Sequence, residues 1–294
     1  MKKEIIKGSL CLLVFHYLAT IAALIMNLVF HITIHAENIL ELVVLDFSVS
    51  AAVVIIMVGN YYELIMEDLK KIKEKWKNSF IKEFLKKVII AFLLMYAVKY
   101  VSAIVVQVLS MLLGLESTTV ENQRLIEELL ASAPAMMIIS SCLFAPVTEE
   151  LLFRGALGKV IKNKWVFIAV SGLTFGLMHV TGSMLLIFEI IAIGLIISLT
   201  LNRKDLSKES KMILSVTLIT VILILCGGIY YFQYGNLIAK ILSLDLTEVV
   251  GSIVYILMGC FLAYVYRQEE NILIPIGVHA FNNILSMILL LFTI

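Results

Sequence analysis

Residues 135–155 read AMMIISSCLFAPVTEELLFRG, so ten uncharged residues are soon followed by two adjacent glutamates and an arginine. Ionisable side chains at membrane depth are costly, and where they occur they usually form a buried pair, line a pathway or build a site. Glu149, Glu150 and Arg154 therefore need a structural or chemical explanation, which depends first on whether this segment crosses a membrane.

The composition is typical of a membrane protein. Of the 294 residues, 61% are hydrophobic and 15% are charged, whereas a soluble domain is about half apolar and a quarter charged. The mean hydropathy is +1.03. Apolar runs have the length that crosses a hydrocarbon core of about 30 Å. The sequence predicts an all-α fold, a polytopic transmembrane helical bundle. Its formal net charge of +1 gives no indication of a nucleic-acid partner.

About eight or nine spans are predicted from hydropathy. They lie at 9–30, 44–65, 88–113, 134–160, 165–182, 183–201, 211–232, 248–266 and 272–293. Lysine-rich loops alternate with neutral or acidic ones, so the positive-inside rule places the N-terminus and the basic loops in the cytoplasm. The lysine- and isoleucine-rich composition favours a bacterial cell membrane.

The first candidate motif lies on the fourth span. Glu150 and Arg154 are four residues apart and share a helix face, so we expect an intramembrane ion pair. Glu149 is not part of this pair, and a second carboxylate at this depth is a candidate general base. Pro146 removes a backbone hydrogen bond, which is expected to kink the helix and open a wet pocket beside the glutamates.

The second candidate motif is in VSGLTFGLMHV, residues 170–180. Phe175 and His179 are four residues apart on a predicted helix. Gly172 and Gly176 lie on the same helix and permit close packing against a neighbouring helix. A lone intramembrane histidine is most often a packing residue, and His179 becomes a site candidate only together with the other motifs.

The third candidate motif is in LIPIGVHAFNNILSM, residues 273–287. His279 and Asn283 are four residues apart, and Pro275 precedes the histidine by one turn. A second proline beside a candidate residue favours a shared cavity between locally broken helices. The helical rise of about 1.5 Å per residue places the three motifs at compatible heights in the membrane.

A carboxylate, two histidines and an asparagine in one cavity suit the activation of a water for attack on an amide carbonyl. Glu149 is the candidate base, and His179 would orient the same water. His279 and Asn283 would hydrogen-bond the oxyanion. Zinc bound by Glu149, His179 and His279 is an open alternative, since two histidines and a glutamate form a familiar zinc set. The helical H-E-x-x-H signature is absent, however, which slightly favours a metal-free site.

Four other polar residues fall in or near spans without a motif partner one turn away: His16, Asp46, Lys99 and Glu189. Asp46 and Lys99 could pair with each other. Glu189 is a candidate for an additional cavity residue.

The segments EELLFR, FGLMH and HAFNN resemble the three motifs of the CPBP family of intramembrane proteases. That family groups CAAX prenyl endopeptidases with bacterial Abi proteins linked to bacteriocin processing and immunity. Its pattern is E-E-x-x-x-R, then F-x-x-x-H, then H-x-x-x-N, and all three occur here in order. The resemblance covers roughly 134–294, which is expected to form the catalytic core, with 1–133 forming N-terminal transmembrane helices and a basic cytoplasmic loop.

The resemblance also implies roles for individual residues. In relatives the first glutamate and the first histidine are taken to activate the water, which corresponds to Glu149 and His179. The second histidine and the asparagine are taken to stabilise the oxyanion, which corresponds to His279 and Asn283. The remaining motif residues, Glu150, Arg154 and Phe175, would support these four. Older descriptions of the family call it a metalloprotease, so the question of zinc carries over.

Three functions fit the sequence to different degrees. The first is an intramembrane endopeptidase that acts on a membrane-associated peptide or protein, with membrane lipid as its other partner. The second is a non-catalytic bacteriocin-immunity or sensor-binding membrane protein that uses the same cavity. The third is a proton-coupled transporter, which predicts internal repeats that the sequence lacks.

Overall fold

The computed structural model describes residues 39–115, 121–179 and 246–292, and within these ranges the regular structure is entirely helical. The helices are α1 (Ile39–Trp76), α2 (Phe80–Leu113), α3 (Glu121–Ser132), α4 (Pro134–Val160), α5 (Lys164–Leu177), α6 (Leu246–Glu269) and α7 (Leu273–Leu291). A 3₁₀ turn, Lys77–Ser79, joins α1 to α2.

Four stretches of the described chain are long and apolar enough to cross a membrane: Val43–Leu113, Pro134–Val160, Val249–Glu269 and Leu273–Leu291. The first contains both α1 and α2, and α5 is a shorter apolar helix. The protein is therefore a multi-pass membrane protein. The predicted spans 9–30, 183–201 and 211–232, with His16 and Glu189, lie outside the described residues. The total of eight or nine spans remains a prediction.

Helix α7 contacts α1, α2 and α4, and its contacts give the helix directions. Val88 lies near Gly277 and Lys99 near Ser286, so α2 runs parallel to α7. Helix α1 runs the opposite way, because its end near Asp68 contacts the start of α7. Helices α1, α2 and α4 thus pack against α7, which carries the third motif.

Within the described chain, the lysine-rich connections from α1 to α2 and from α4 to α5 lie at one end of the bundle. Lys87, near the start of α2, forms an ion pair at 2.6 Å with Glu269, at the end of α6. Arg267 donates a hydrogen bond to the Gly158 carbonyl near the end of α4. These contacts define the lysine-rich end of the bundle.

Helix α4 alternates between α and π geometry. Its α-helical parts are Pro134–Ile139, Ala145–Glu150 and Leu157–Val160, and the π turns are Ser140–Phe144 and Leu151–Ala156. Such π turns are frequent at functional sites. The irregularity expected near Pro146 is thus a π turn that precedes it.

Pro146 leaves one carbonyl of the first π turn without its backbone partner. The N–H of Ala145 donates to the Ser140 carbonyl. The same register would pair residue 146 with the Ser141 carbonyl, but proline has no N–H. The Ser141 carbonyl is consequently available to a side chain from another helix.

The break expected at Pro275 is not observed. Helix α7 begins at Leu273, so Pro275 lies in its first turn. Backbone N–H groups of the first turn lack intrahelical partners, and proline is tolerated there without a kink. The expectation was wrong because the predicted span, 272–293, already put Pro275 in the first turn, where a proline removes no intrahelical hydrogen bond.

The close packing expected at Gly172 and Gly176 is observed against α6. A Cβ atom on Gly172 would lie 2.7 Å from the backbone nitrogen of Cys260, and one on Gly176 would lie 2.7 Å from that of Ile256. These distances are far inside normal van der Waals contact. Any larger residue would separate α5 from α6 and displace the histidine that follows α5.

Candidate active site

Glu149, His179 and His279 meet inside the bundle. The Nε2 atom of His179 lies 3.7 Å from Glu149 Oε2, and the Nε2 atom of His279 lies 4.0 Å from the same oxygen. The glutamate and His279 are buried, and His179 is partly buried. Within the described part of the chain, nothing donates a hydrogen bond to Glu149 Oε2. Two imidazoles thus converge on a buried, unpaired carboxylate oxygen.

Hydrogen bonds fix the orientation of both histidine rings. His179 follows the end of α5, and its Nδ1–H donates to the Phe175 carbonyl at 2.7 Å. Because a carbonyl can only accept, the neutral ring carries its lone pair on Nε2, facing Glu149. The Nδ1–H of His279 donates to Glu150 Oε1 at 2.9 Å. The Nε2 of His279 then accepts when the ring is neutral and donates when it is protonated.

Glu150 and Arg154 form the ion pair expected from their spacing. Arg154 Nη1 lies 2.9 Å from Glu150 Oε1, and both side chains are fully buried. The other terminal nitrogen, Nη2, donates to the Gly259 carbonyl at 2.8 Å. Glu150 Oε1 accepts from Arg154 and His279 together, so this pair does more than neutralise itself. It anchors the His279 ring.

Aromatic rings surround the two histidines. Phe175 is buried, with its ring centroid 4.5 Å from that of His179 and 5.6 Å from that of His279. The Arg154 guanidinium lies 4.8 Å from the Phe175 centroid, within the range of a cation–π interaction. Tyr255 of α6 also stacks on the His179 ring, with a centroid separation of 4.7 Å and an interplanar angle of 15°. Tyr255 has no motif spacing, so its contact with His179 could not be predicted from the sequence.

Asn283 is held by two partners that determine its amide orientation. Its Nδ2 donates to the Ser141 carbonyl at 2.7 Å, the carbonyl left without a partner by Pro146. Its Oδ1 accepts from Asn282 Nδ2 at 3.0 Å. One of the two N–H groups of Asn283 is therefore used by Ser141, and the second remains for a ligand. Asn282 is a positioning residue that the sequence analysis missed.

A cavity of about 660 Å³ contains all four candidate catalytic residues in its wall: Glu149, His179, His279 and Asn283. Asp46 of α1 and Lys99 of α2 also line it. The expected pairing of Asp46 with Lys99 was wrong. Lys99 Nζ instead donates to Ser286 Oγ at 3.2 Å, because α2 presents Lys99 to α7.

The zinc set considered from the sequence does not have metal-site geometry here. Among the described residues, no group of three or more His, Cys, Asp or Glu side chains could hold a metal ion. In a tetrahedral zinc site, bonds of about 2.1 Å place neighbouring ligand atoms about 3.4 Å apart. The separations of 3.7 and 4.0 Å from Glu149 Oε2 exceed that spacing. As placed, Glu149, His179 and His279 do not fit zinc.

Comparison with protein families finds a match. The profile of the family described as "Type II CAAX prenyl endopeptidase Rce1-like" matches residues 131–285, which include all three motifs. No curated protein and no solved structure matched the chain. The match covers more than half of the chain and confirms the resemblance to the CAAX proteases. The chain belongs to the type II CAAX prenyl endopeptidase Rce1-like family.

Proposed function

We propose that this protein is an intramembrane endopeptidase that hydrolyses a peptide bond of a membrane-associated peptide or protein. One observation carries the proposal. The Nε2 atoms of His179 and His279 converge on the buried Glu149 Oε2, at 3.7 and 4.0 Å. A water among these atoms can donate one hydrogen to Glu149 and the other to the His179 lone pair, which leaves an oxygen lone pair for the substrate carbonyl.

Glu149 acts as the general base in this mechanism. It takes the proton of the water as the oxygen attacks the carbonyl carbon, and a tetrahedral oxyanion forms. The free N–H of Asn283 and the Nε2–H of protonated His279 donate to that oxyanion. Glu149 then returns the proton to the leaving amine. The products are a carboxylic acid and an amine, so the proton and the electrons balance.

Glu150 and Arg154 support the second histidine. When His279 is protonated, its Nδ1–H still donates to Glu150, whose charge compensates the imidazolium. Arg154 holds Glu150 in place at 2.9 Å. Phe175 contacts both imidazoles and the Arg154 guanidinium. These three residues position the catalytic groups without contacting the substrate.

The domain division and the location are part of the proposal. Residues 134–294 would be the catalytic core, and residues 1–133 would add helices that complete the cavity wall. The lysine-rich end would face the cytoplasm of a bacterial cell membrane. In a bacterium the substrate would be a leader peptide, a signalling-peptide precursor or a bacteriocin rather than a prenylated protein.

The test uses purified protein in nanodiscs and a quenched peptide library. We expect the wild type to cleave at least one peptide, and Glu149→Gln and His179→Ala to abolish cleavage while remaining folded. Glu74→Gln, the same substitution on the exposed surface of α1, should retain full activity. Cleavage that persists in Glu149→Gln would refute the mechanism. If no peptide is cleaved, and both site variants keep full biological function in cells, the non-catalytic alternative replaces the protease.

Each preparation is also assayed for bound metal and for activity after chelation. Cleavage that survives complete removal of metal supports the glutamate–histidine mechanism. Loss of cleavage on chelation, restored by added zinc, would contradict the metal-free mechanism.

A further inference from the structure

Lys99 places a positive charge on the cavity wall deep in the membrane. It lies twelve residues beyond Lys87, whose ion pair with Glu269 marks the lysine-rich end, so the helical rise puts it about 18 Å from that end. It lies fifteen residues before Gly114, about 22 Å from the other end of α2. A lysine side chain is too short to reach either interface by snorkelling. The ammonium group thus stays at mid-depth and faces the cavity.

The structure provides this ammonium group with little compensation. Its hydrogen bond within the described chain is to the Ser286 hydroxyl, at 3.2 Å. No carboxylate of the described residues lies within ion-pair distance of it. Asp46 lines the same cavity without forming a pair with it. An ammonium has three N–H donors, and an unpaired charge in a low-dielectric site is costly unless a partner of opposite charge joins it.

The spacing of residues on α7 gives the distance from this charge to the candidate catalytic groups. Ser286 follows Asn283 by three residues and His279 by seven, so all three lie on one face of α7. Along the helix axis, Ser286 is about 4.5 Å beyond Asn283 and about 10.5 Å beyond His279. An extended peptide advances about 3.3 Å per residue. A substrate carbonyl held at the oxyanion donors would therefore place a group two or three residues away beside Lys99.

We propose that Lys99 and Ser286 form a subsite that binds a carboxylate of the substrate, about two or three residues from the scissile bond. This inference rests on the proposed peptidase function. The ammonium and the hydroxyl both donate to the carboxylate, which supplies the charge that the described residues around Lys99 do not. A C-terminal carboxylate and an aspartate or glutamate side chain have the same chemistry.

The test measures binding and cleavage with three fluorescently labelled apolar hexapeptides in nanodiscs. They are identical except that one ends in a free carboxylate, one ends in a carboxamide, and one ends in a carboxamide but carries an aspartate near its C-terminus. Binding is measured with Glu149→Gln, so that no peptide is consumed. Cleavage is measured with the wild type. Each background also carries Lys99→Met, Lys99→Arg or the control Lys86→Met, a change of the same kind at an exposed lysine outside the cavity.

We expect at least one of the two carboxylate peptides to bind about tenfold more tightly than the neutral peptide, as for a charge-assisted hydrogen bond. The peptide that does so identifies the source of the carboxylate. Lys99→Met should remove the preference, whereas Lys99→Arg and Lys86→Met should retain it. Equal binding of all three peptides, or a preference that survives Lys99→Met, overturns the inference. Absence of cleavage alongside a Lys99-dependent binding preference would count against the peptidase function and leave the carboxylate subsite standing.

Discussion

Replacing Glu150 with glutamine should destabilise the protein far more than the same replacement of its neighbour Glu149. Glu150 is fully buried, and its Oε1 accepts hydrogen bonds from Arg154 and His279, both at 2.9 Å. Glutamine keeps an acceptor oxygen but removes the charge, so the buried guanidinium loses its carboxylate. Glu149 Oε2 accepts no hydrogen bond from the described residues. Glutamine at position 149 therefore breaks no ion pair with Arg154.

The size of the difference follows from the burial of the pair. Removing one partner of a buried ion pair costs about 3–5 kcal/mol. The oxygen of a glutamine can still accept both hydrogen bonds, so we expect the lower end, about 3 kcal/mol. At about 2–4 °C per kcal/mol, Glu150→Gln should lower the melting temperature by about 6–12 °C. The double variant Glu150→Gln/Arg154→Met removes the unpaired charge and should recover much of this loss.

The assay is thermal unfolding of purified protein in nanodiscs, followed by tryptophan fluorescence. The wild type, both single glutamine variants and the double variant are compared under the same scan conditions. A melting temperature of Glu150→Gln within about 2 °C of that of Glu149→Gln, less than the shift for 1 kcal/mol, would refute the assignment of Glu150 as the buried counterion of Arg154.

Three further substitutions test other contacts. Asn282→Ala removes the donor to Asn283 Oδ1. Because only the oxyanion donor is misplaced, kcat should fall about tenfold with little change in KM. Initial-rate kinetics measure both constants. Gly176→Ala would place a methyl group against the α6 backbone and should lower the free energy of unfolding by about 1–3 kcal/mol. The control Gly59→Ala has open space around it and should be neutral or stabilising in thermal unfolding. Asp68→Ala leaves a backbone N–H at the start of α7 without its acceptor at 2.7 Å and should cost about 1–3 kcal/mol by the same assay.

The sequence could predict which residues share a helix face. Glu150 with Arg154 and His279 with Asn283 are each separated by four residues within an apolar run, and such spacing defines one side of a helix. The compatible depth of the motifs followed from the helical rise of about 1.5 Å per residue. Both kinds of information are local in sequence, and both agree with the ion pair of α4 and with the meeting of the two histidines at Glu149.

Contacts between helices could not be predicted in the same way. Hydropathy reports that α2 and α7 cross the membrane, but it does not report how each is rotated about its axis. The sequence analysis considered a pair between Lys99 and Asp46, whereas helix packing placed Lys99 beside Ser286. The stacking of Tyr255 on His179 has the same origin.

The effect of the two prolines on their helices was predicted incorrectly at one of them. Pro146 and Pro275 have the same chemistry, yet the first follows a π turn inside α4 and the second lies in the first turn of α7. The predicted span 272–293 already implied that Pro275 lies in a first turn, where a proline is tolerated. Hydropathy over 134–160, by contrast, does not distinguish a π turn from an α-helical one.

The rate of peptide cleavage by Glu149→Gln, relative to the wild type, tests the central claim most directly. It should be measured on the best library peptide, in metal-free nanodiscs, with equal melting temperatures established beforehand. Loss of a general base predicts a decrease of about 10²–10⁴-fold, with no cleavage product detectable by mass spectrometry on the timescale of wild-type turnover. A variant that cleaves the peptide within a fewfold of the wild-type rate would contradict the claim that Glu149 activates the water.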